Sequence, residues 1–250
     1  MDIRFLCAGD KNLVVELGNE ISPSINQAVY QLDILVNSHI TEGIIDVIPS
    51  YRSLMITFEP ALLKPDYLKR QIRGLLQKMS EAELPPARLI VIPVCYDDDL
   101  GFDLHNIAEV TGLTKQAIIA DHASQKYLTY CLGFTPGFPI AGSVSDKIAV
   151  PRLKNPRSKV PAGSVGIGGK QTGIYPLESP GGWQIIGRTP LQLFKLKKEG
   201  IPWLLVRARD YINFKPITRE KYEEMSKEVE THQFQYENLI FPVKGGYGYN

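Results

Sequence analysis

Three arginines, four aromatic residues and one serine in a glycine- and proline-rich stretch are the residues best suited to chemistry in this sequence. Arg152, Arg157 and Arg188 each sit near proline, where the chain is stiff, and an arginine held in place can grip a carboxylate or phosphate through two parallel hydrogen bonds. Phe134, Phe138, Tyr175 and Trp183 recur in the same loops, and an aromatic cluster flanked by arginines suits an apolar pocket with a few fixed polar groups. The competing reading is that these rings pack the loops onto the body of the domain. Between Gly133 and Pro190 lie 11 of the 21 glycines and 8 of the 18 prolines. The stretch carries seven basic residues against two acidic ones, a local balance of +5 in a chain of net charge +1. A concentrated basic patch on an otherwise acidic molecule favours an anionic ligand or an acidic partner surface. The bland alternative, for the lysines above all, is a set of solvated loop charges.

Several motifs invite stronger readings and fail them. Val165-Gly166-Ile167-Gly168-Gly169-Lys170-Gln171-Thr172 resembles a phosphate loop, but Gln171 stands where the hydroxyl that holds magnesium should be. No helix is evident behind it to offer its N-terminus to a pyrophosphate, so a glycine-bulged strand is the better reading. Gly163-Ser164 has the look of a nucleophile elbow, yet Ala162 replaces the leading glycine. Ser164 is therefore read as a hydrogen-bond donor to a ligand rather than as a nucleophile. His122 lies at the end of a short helix, where the helix dipole favours a protonated ring, and acid–base work is the alternative role. Histidine and cysteine spacings match no zinc site, and Asp97-Asp98-Asp99 lacks the alternation of a calcium loop. Cys131 reads as a small buried hydrophobe.

The elements that must position these residues fall into two parts. Up to residue 86, apolar runs at Ile3–Leu6 and Leu13–Leu17 and at Ile44–Ile48 and Leu54–Phe58 suggest two hairpins. Ser22-Pro23 opens a helix whose stripe is Ile25, Val29, Leu32 and Val36, and Leu68, Ile72, Leu75, Leu76 and Met79 mark a second. The order ββαββα predicts two helices on one face of an antiparallel sheet. Pro85-Pro86 is the candidate linker. Residues 87–217 then give a β run at Arg88–Val94, short helices at Leu104–Val110 and from Thr114 to about His122, and many short strands from Tyr127 to Phe214, which suggests a sandwich or barrel. Residues 218–250 hold a charged helix, Thr218–Glu230, and a tail without a clear element. The fold class is thus α+β.

With 44% hydrophobic and 22% charged residues, the chain of 250 residues has the balance of a soluble globular protein. A net charge of +1 gives no electrostatic case for nucleic acid or membrane surfaces, and no apolar run approaches the roughly 20 residues of a membrane span. The N-terminus does not read as a signal peptide, and three dispersed cysteines suit reduced thiols, so a cytoplasmic location is expected.

The strings Gly-Phe-Thr-Pro-Gly-Phe-Pro (133–139), Pro-Arg-Leu-Lys-Asn-Pro-Arg (151–157), Val-Pro-Ala-Gly-Ser-Val-Gly-Ile (160–167), Gln-Thr-Gly-Ile-Tyr-Pro (171–176), Ser-Pro-Gly-Gly-Trp (179–183) and Ile-Gly-Arg-Thr-Pro (186–190) resemble, in this order, one family. It comprises allophanate hydrolase subunit 1, the B-type component of 5-oxoprolinase (PxpB) and the sporulation kinase inhibitor KipI. Ile140 and Gly142-Ser143-Val144 depart from its pattern. The resemblance implies a small α+β N-terminal domain and a cyclophilin-like β-barrel domain. It implies a hydrolase component acting with a second, carboxyltransferase-like subunit (PxpC-type) and a third protein (PxpA-type) in ATP-dependent conversion of 5-oxoproline to glutamate. ATP is then used by the complex and not clearly bound by this chain, which is expected to bind no metal or biotin and to be inactive alone. The alternatives are docking on a histidine kinase, as an inhibitor, or work as subunit 1 of an allophanate hydrolase. Within this frame His122 and Arg157 are the candidate catalytic residues. Phe134, Pro136, Gly137, Phe138, Arg152 and Ser164 are candidates for substrate binding, and so are Gln171, Tyr175, Gly181, Trp183 and Arg188.

Overall fold

The computed structural model describes residues 2–243; the Gly-Gly-Tyr-Gly-Tyr-Asn end of the tail lies outside the described residues. The chain divides between Pro85 and Pro86 into two compact units.

The first unit runs β1 (Arg4–Cys7), β2 (Asn12–Glu16), α1 (Pro23–His39), β3 (Ile44–Pro49), β4 (Ser53–Phe58) and α2 (Pro65–Leu76), with an antiparallel sheet ordered β1-β2-β4-β3. Ser22 caps α1, its hydroxyl accepting the Ile25 N–H at 3.2 Å, and Pro23 takes the first turn, where no donor is missed. Alternate strand residues Leu13, Val15, Leu54, Ile56 and Phe58 are buried against Val29, Leu32 and Val36 of α1 and Leu68, Ile72 and Leu75 of α2. Both expected hairpins and both helices are present; Met79 lies just past α2, in a 3₁₀ turn at Met79–Glu81.

The second unit contains β5 (Arg88–Val94), α3 (Leu104–Thr111), α4 (Lys115–Ala123), β6 (Lys126–Leu132), β7 (Pro139–Gly142), β8 (Arg157–Val160), β9 (Ser164–Gly168), β10 (Gln171–Ile174), β11 (Ser179–Gly181) and β12 (Gln184–Arg188). There follow β13 (Phe194–Leu196), β14 (Pro202–Leu204), β15 (Tyr211–Pro216), α5 (Arg219–Glu230) and β16 (Ile240–Pro242). Eight strands form one mixed sheet ordered β12-β9-β10-β7-β6-β15-β5-β16, in which only β15 and β5 run parallel. The ladder does not close into a barrel. β12, at one end of the sheet, meets the residue that follows β5 at a single bridge, where Cys95 and Arg188 exchange backbone hydrogen bonds of 2.9 Å each way.

This sheet separates two apolar layers, and the period of two in a strand assigns residues to each. Val165, Ile167, Ile174 and Ile186 join a large core with Ile90, Ile92, Tyr127 and Phe214, into which α3 and α4 send Leu104, Ile107 and Ile118. On the opposite face, Phe138, Val160, Tyr175, Trp183 and Ile185 form a smaller core beneath the two-stranded ribbon β8–β11. Gly112 ends α3 in the left-handed conformation at φ 71°, and Thr114 caps α4. The C-terminal segment belongs to this unit: Met225 of α5 is buried in the large core, and β16, at a place read as having no clear element, pairs with β5.

Candidate functional site

The smaller core is built on missing side chains. Gly166 and Gly168 are two apart on β9 and share a face, and Gly173 of β10 pairs directly with Gly166. A Cβ on Gly168 would lie 2.7 Å from Cδ1 and Nε1 of Trp183, and one on Gly173 would lie 2.4 Å from the Pro139 carbonyl and 3.1 Å from the indole. The glycines that resemble a phosphate loop are therefore a bed for the Trp183 ring within the β9–β10 hairpin. Phe138 meets Trp183 edge-on at 5.4 Å and Tyr175 at 4.9 Å, and both arrangements suit the ring quadrupoles. Tyr175 sits over Gly181, where a Cβ would be 2.3 Å from its hydroxyl. Burial pushes the Tyr175 hydroxyl pKa up, opposed by a hydrogen bond with the Trp183 main chain and by the charges of Arg152 and Arg157.

The four aromatic residues do come together, but not as an open pocket. Phe138, Tyr175 and Trp183 fill the space between ribbon and sheet and are buried. In this arrangement these three support the loops above them from below. Phe134 is the exception: it is 68% exposed and has φ 69°, a left-handed conformation costly for a side chain with a Cβ. It leans edge-on against Phe138 and Tyr175 at 5.7 and 6.4 Å. Its loop is closed by hydrogen bonds from Gly133 N–H to Phe138 O and from Phe138 N–H to Thr135 O. Pro136 lies within this loop; Gly137, at φ 79°, packs where a Cβ would be 2.7 Å from Phe194 Cβ. Both shape the loop that presents Phe134.

The arginines separate by their partners. Arg157 donates from Nη2 to Asp103 Oδ1 at 2.6 Å, and its guanidinium lies 4.7 Å from the Phe102 ring centroid. Asp103 occupies the position before α3 where its carboxylate would ordinarily cap the helix. Here it turns away, accepts the Ile185 N–H at 2.7 Å, and also donates its own N–H to Ile185 O at 2.9 Å. It thus continues the edge of β12 and neutralises Arg157 at once. Arg152 stands 5.7 Å from the Trp183 ring. Neither Arg152 nor Arg188 has an ion-pair partner among the described residues, whereas Lys159 pairs with Glu178 and Lys170 with Asp146. Arg188 is opposed to Ser164 in the β12–β9 register, and Ser164 is wholly buried. Gln171 opens β10 opposite Gly142 and Gly168.

His122 is elsewhere, inside the large core. Its ring stacks on Phe214 at 4.4 Å and on Tyr127 at 5.4 Å. Thr172 Oγ1 donates to Gly166 O at 3.1 Å, which leaves it to accept from His122 Nε2–H at 2.9 Å; Nδ1 then accepts from the Tyr96 hydroxyl at 3.0 Å. Burial lowers the ring pKa from 6.5 to about 3, so the ring is neutral. A buried neutral ring draws nothing from the helix dipole, and its hydrogen bonds go to Tyr96 and Thr172. It holds α4 to β10. Tyr96, Thr172, Phe102 and Asp103 were not singled out from the sequence, and for Asp103 the helix-capping position masked the role it has.

A separate cleft of about 670 Å³ lies beside Tyr96, Asp97, Asp98, Lys115 and Ile217 and includes none of the candidate residues. Its acidic residues are tied down by Lys115, 2.5 Å from Asp98, and by Arg219, 3.0 Å from Asp97. Among the described residues no three metal-ligating side chains cluster, and no helix is long and apolar enough to cross a membrane.

The family model described as carboxyltransferase domain, subdomain C and D, matches residues 3–204. The B-type component of 5-oxoprolinase from Bacillus subtilis (strain 168) is 36% identical over 230 residues, 88% of this chain and 95% of that protein. Among solved structures, TTHA0988 superimposes with a TM-score of 0.70 at 32% identity, covering 83% of this chain and 40% of its own. The urea amidolyase of K. lactis has a TM-score of 0.77 at 23% identity over 93% of this chain, a likeness of fold. This chain spans only 40% of TTHA0988 and 16% of the amidolyase.

Proposed function

The chain belongs to the carboxyltransferase-domain family of subdomains C and D, and from that premise we propose that it is the B-type component of an ATP-dependent 5-oxoprolinase, converting 5-oxoproline to glutamate. The near full-length match to a protein of that name supports the assignment. The observation that carries the site is the pair of arginines without acidic partners among the described residues, Arg152 over the Trp183 ring and Arg188 paired in register with Ser164. The lactam amide of 5-oxoproline resists water, and phosphorylation of its oxygen at the expense of ATP makes it a leaving group. Substrate and activated intermediate are both anions, and fixed guanidinium groups stabilise such charge. Phe134 offers an apolar contact to a second chain beside them.

Ser164 and Cys95 are poorly placed as nucleophiles. Ser164 is buried without a base, and burial raises the Cys95 thiol pKa. In this reading the active site is shared: a PxpC-type carboxyltransferase-like subunit and a PxpA-type protein complete it, ATP is consumed by the assembly, and this chain alone is inactive. The second unit is read as an open relative of the cyclophilin-like barrel, its ladder unclosed, and the protein as cytoplasmic. The test is to purify the chain with and without the products of neighbouring genes and to assay ATP-dependent glutamate release from 5-oxoproline. Glutamate from the full mixture is expected. No glutamate from that mixture, together with inhibition of a purified sensor histidine kinase, would overturn the proposal in favour of a kinase inhibitor.

A further inference from the structure

Two residues paired across β9 and β12 each carry a buried polar atom with nothing to bind. Ser164 Oγ and Arg188 Nε have no hydrogen-bond partner among the described residues. Ser164 shares its face with Gly166 and Gly168, the face covered by Tyr175 and the β8–β11 ribbon, and Arg188 is its direct partner in register. Several serine hydroxyls find acceptors, as Ser38 does at Ile34 O (2.7 Å), Ser124 at Asp121 O (2.8 Å) and Ser226 at Tyr222 O (2.8 Å), whereas Ser179 Oγ of β11 is, like Ser164 Oγ, buried without one. Two half-buried arginines do find carboxylates, Arg88 with Asp210 and Arg157 with Asp103. A buried donor left unmade is costly, so this pair is a place prepared for something else.

The surroundings fix the root of the Arg188 side chain. The Arg188 backbone is fixed by its bridge to Cys95. Its side-chain stem packs on Gly163, where a Cβ would meet Arg188 Cγ at 3.2 Å and the Thr189 carbonyl at 2.4 Å; Gly163 is also left-handed, at φ 79°. Only glycine fits there.

We infer that Arg188 and Ser164 form a carboxylate subsite, with Arg188 gripping both oxygens of the anion through Nε–H and an adjacent Nη–H while the Ser164 hydroxyl donates to one of them. This deepens the reading proposed above and rests on it for the identity of the ligand, the carboxylate of 5-oxoproline. Arg157, already neutralised by Asp103, is in contrast a positioning residue of the ribbon. A phosphate group would satisfy the same donors, and the test separates the two.

Arginine Nε–H cross-peaks are followed by NMR in the full chain during titration with acetate, inorganic phosphate, 5-oxoproline and 2-pyrrolidinone, the lactam that lacks the carboxylate. One cross-peak, absent in Arg188→Lys, is expected to move saturably with acetate and 5-oxoproline and not with 2-pyrrolidinone. Ser164→Ala should weaken acetate binding roughly 10-fold, the loss expected for a hydrogen bond to a charged group. If no arginine cross-peak of the wild-type chain moves with acetate or 5-oxoproline, the inference is overturned, whatever the variants do. Movement with phosphate alone overturns the carboxylate assignment. A peak that responds to acetate while the reconstituted mixture releases no glutamate leaves the subsite standing and removes the oxoprolinase reading; turnover with a silent peak does the reverse.

Discussion

Replacing Asp103 with alanine should destabilise the second unit by about 2–4 kcal/mol, and the figure follows from the contacts of a single carboxylate. Oδ2 accepts the N–H of Ile185, which is completely buried, so its loss leaves an unmade donor at a cost of about 1–3 kcal/mol. Oδ1 binds Arg157 at 2.6 Å. A fully buried pair broken on one side costs roughly 3–5 kcal/mol, but the Arg157 side chain is 31% exposed and water can take over part of the guanidinium, so about 1 kcal/mol is the fairer share. Asp103→Asn keeps one carbonyl oxygen for Ile185 and loses only the charge, so it should cost about half as much. Urea denaturation followed by tryptophan fluorescence reads the right unit, because Trp183 and Trp203 both lie beyond Pro86. As a control, Glu178→Ala breaks an exposed pair with Lys159 and should cost no more than about 1 kcal/mol. A shift below 1 kcal/mol for Asp103→Ala, or equal shifts for alanine and asparagine, would refute the idea that this carboxylate both closes the β12 edge and anchors the ribbon.

Two further outcomes are expected. His122 has a folded-state pKa of about 3 against 6.5 when free, so between these values the unfolded chain takes up a proton that the folded chain refuses. Its contribution is unchanged above pH 6.5, and stability falls by about 1.4 kcal/mol for each pH unit from there down toward 3; His122→Gln should flatten the fluorescence-detected stability profile by one proton in that window, and parallel profiles would count against a neutral core histidine. At position 134 the backbone is left-handed, so Phe134→Gly should be at least as stable to urea as Phe134→Ala, while both should equally weaken co-elution with the carboxyltransferase-like partner. An alanine variant more stable than the glycine one, or association untouched by loss of the ring, would contradict the assigned role of Phe134.

Local patterns carried most of the elements. The Ser22 and Thr114 caps, Gly112 and the helical stripes mark their helices because capping and amphipathicity are properties of a few neighbouring residues. The tail strand was not legible, since Ile240–Pro242 is a strand only by virtue of the β5 edge it adds to. For the same reason Asp103 was invisible: before a helix its type says cap, and only the approach of Ile185, 82 residues away in sequence, turns it outward.

The site illustrates the same point at the level of chemistry. Gly166 and Gly168 are consistent with a loop that wraps phosphate and equally with a strand that makes room for a ring, since both need backbone without Cβ. What separates the readings is register, which pairs Gly173 with Gly166 and places both beneath Trp183. Register likewise separates the arginines, which composition treats alike. Arg157 falls opposite Gly181, on a ribbon within reach of Asp103, and is neutralised. Arg188 falls opposite Ser164 and meets no carboxylate, so of these two arginines only Arg188 keeps its full charge for an incoming anion.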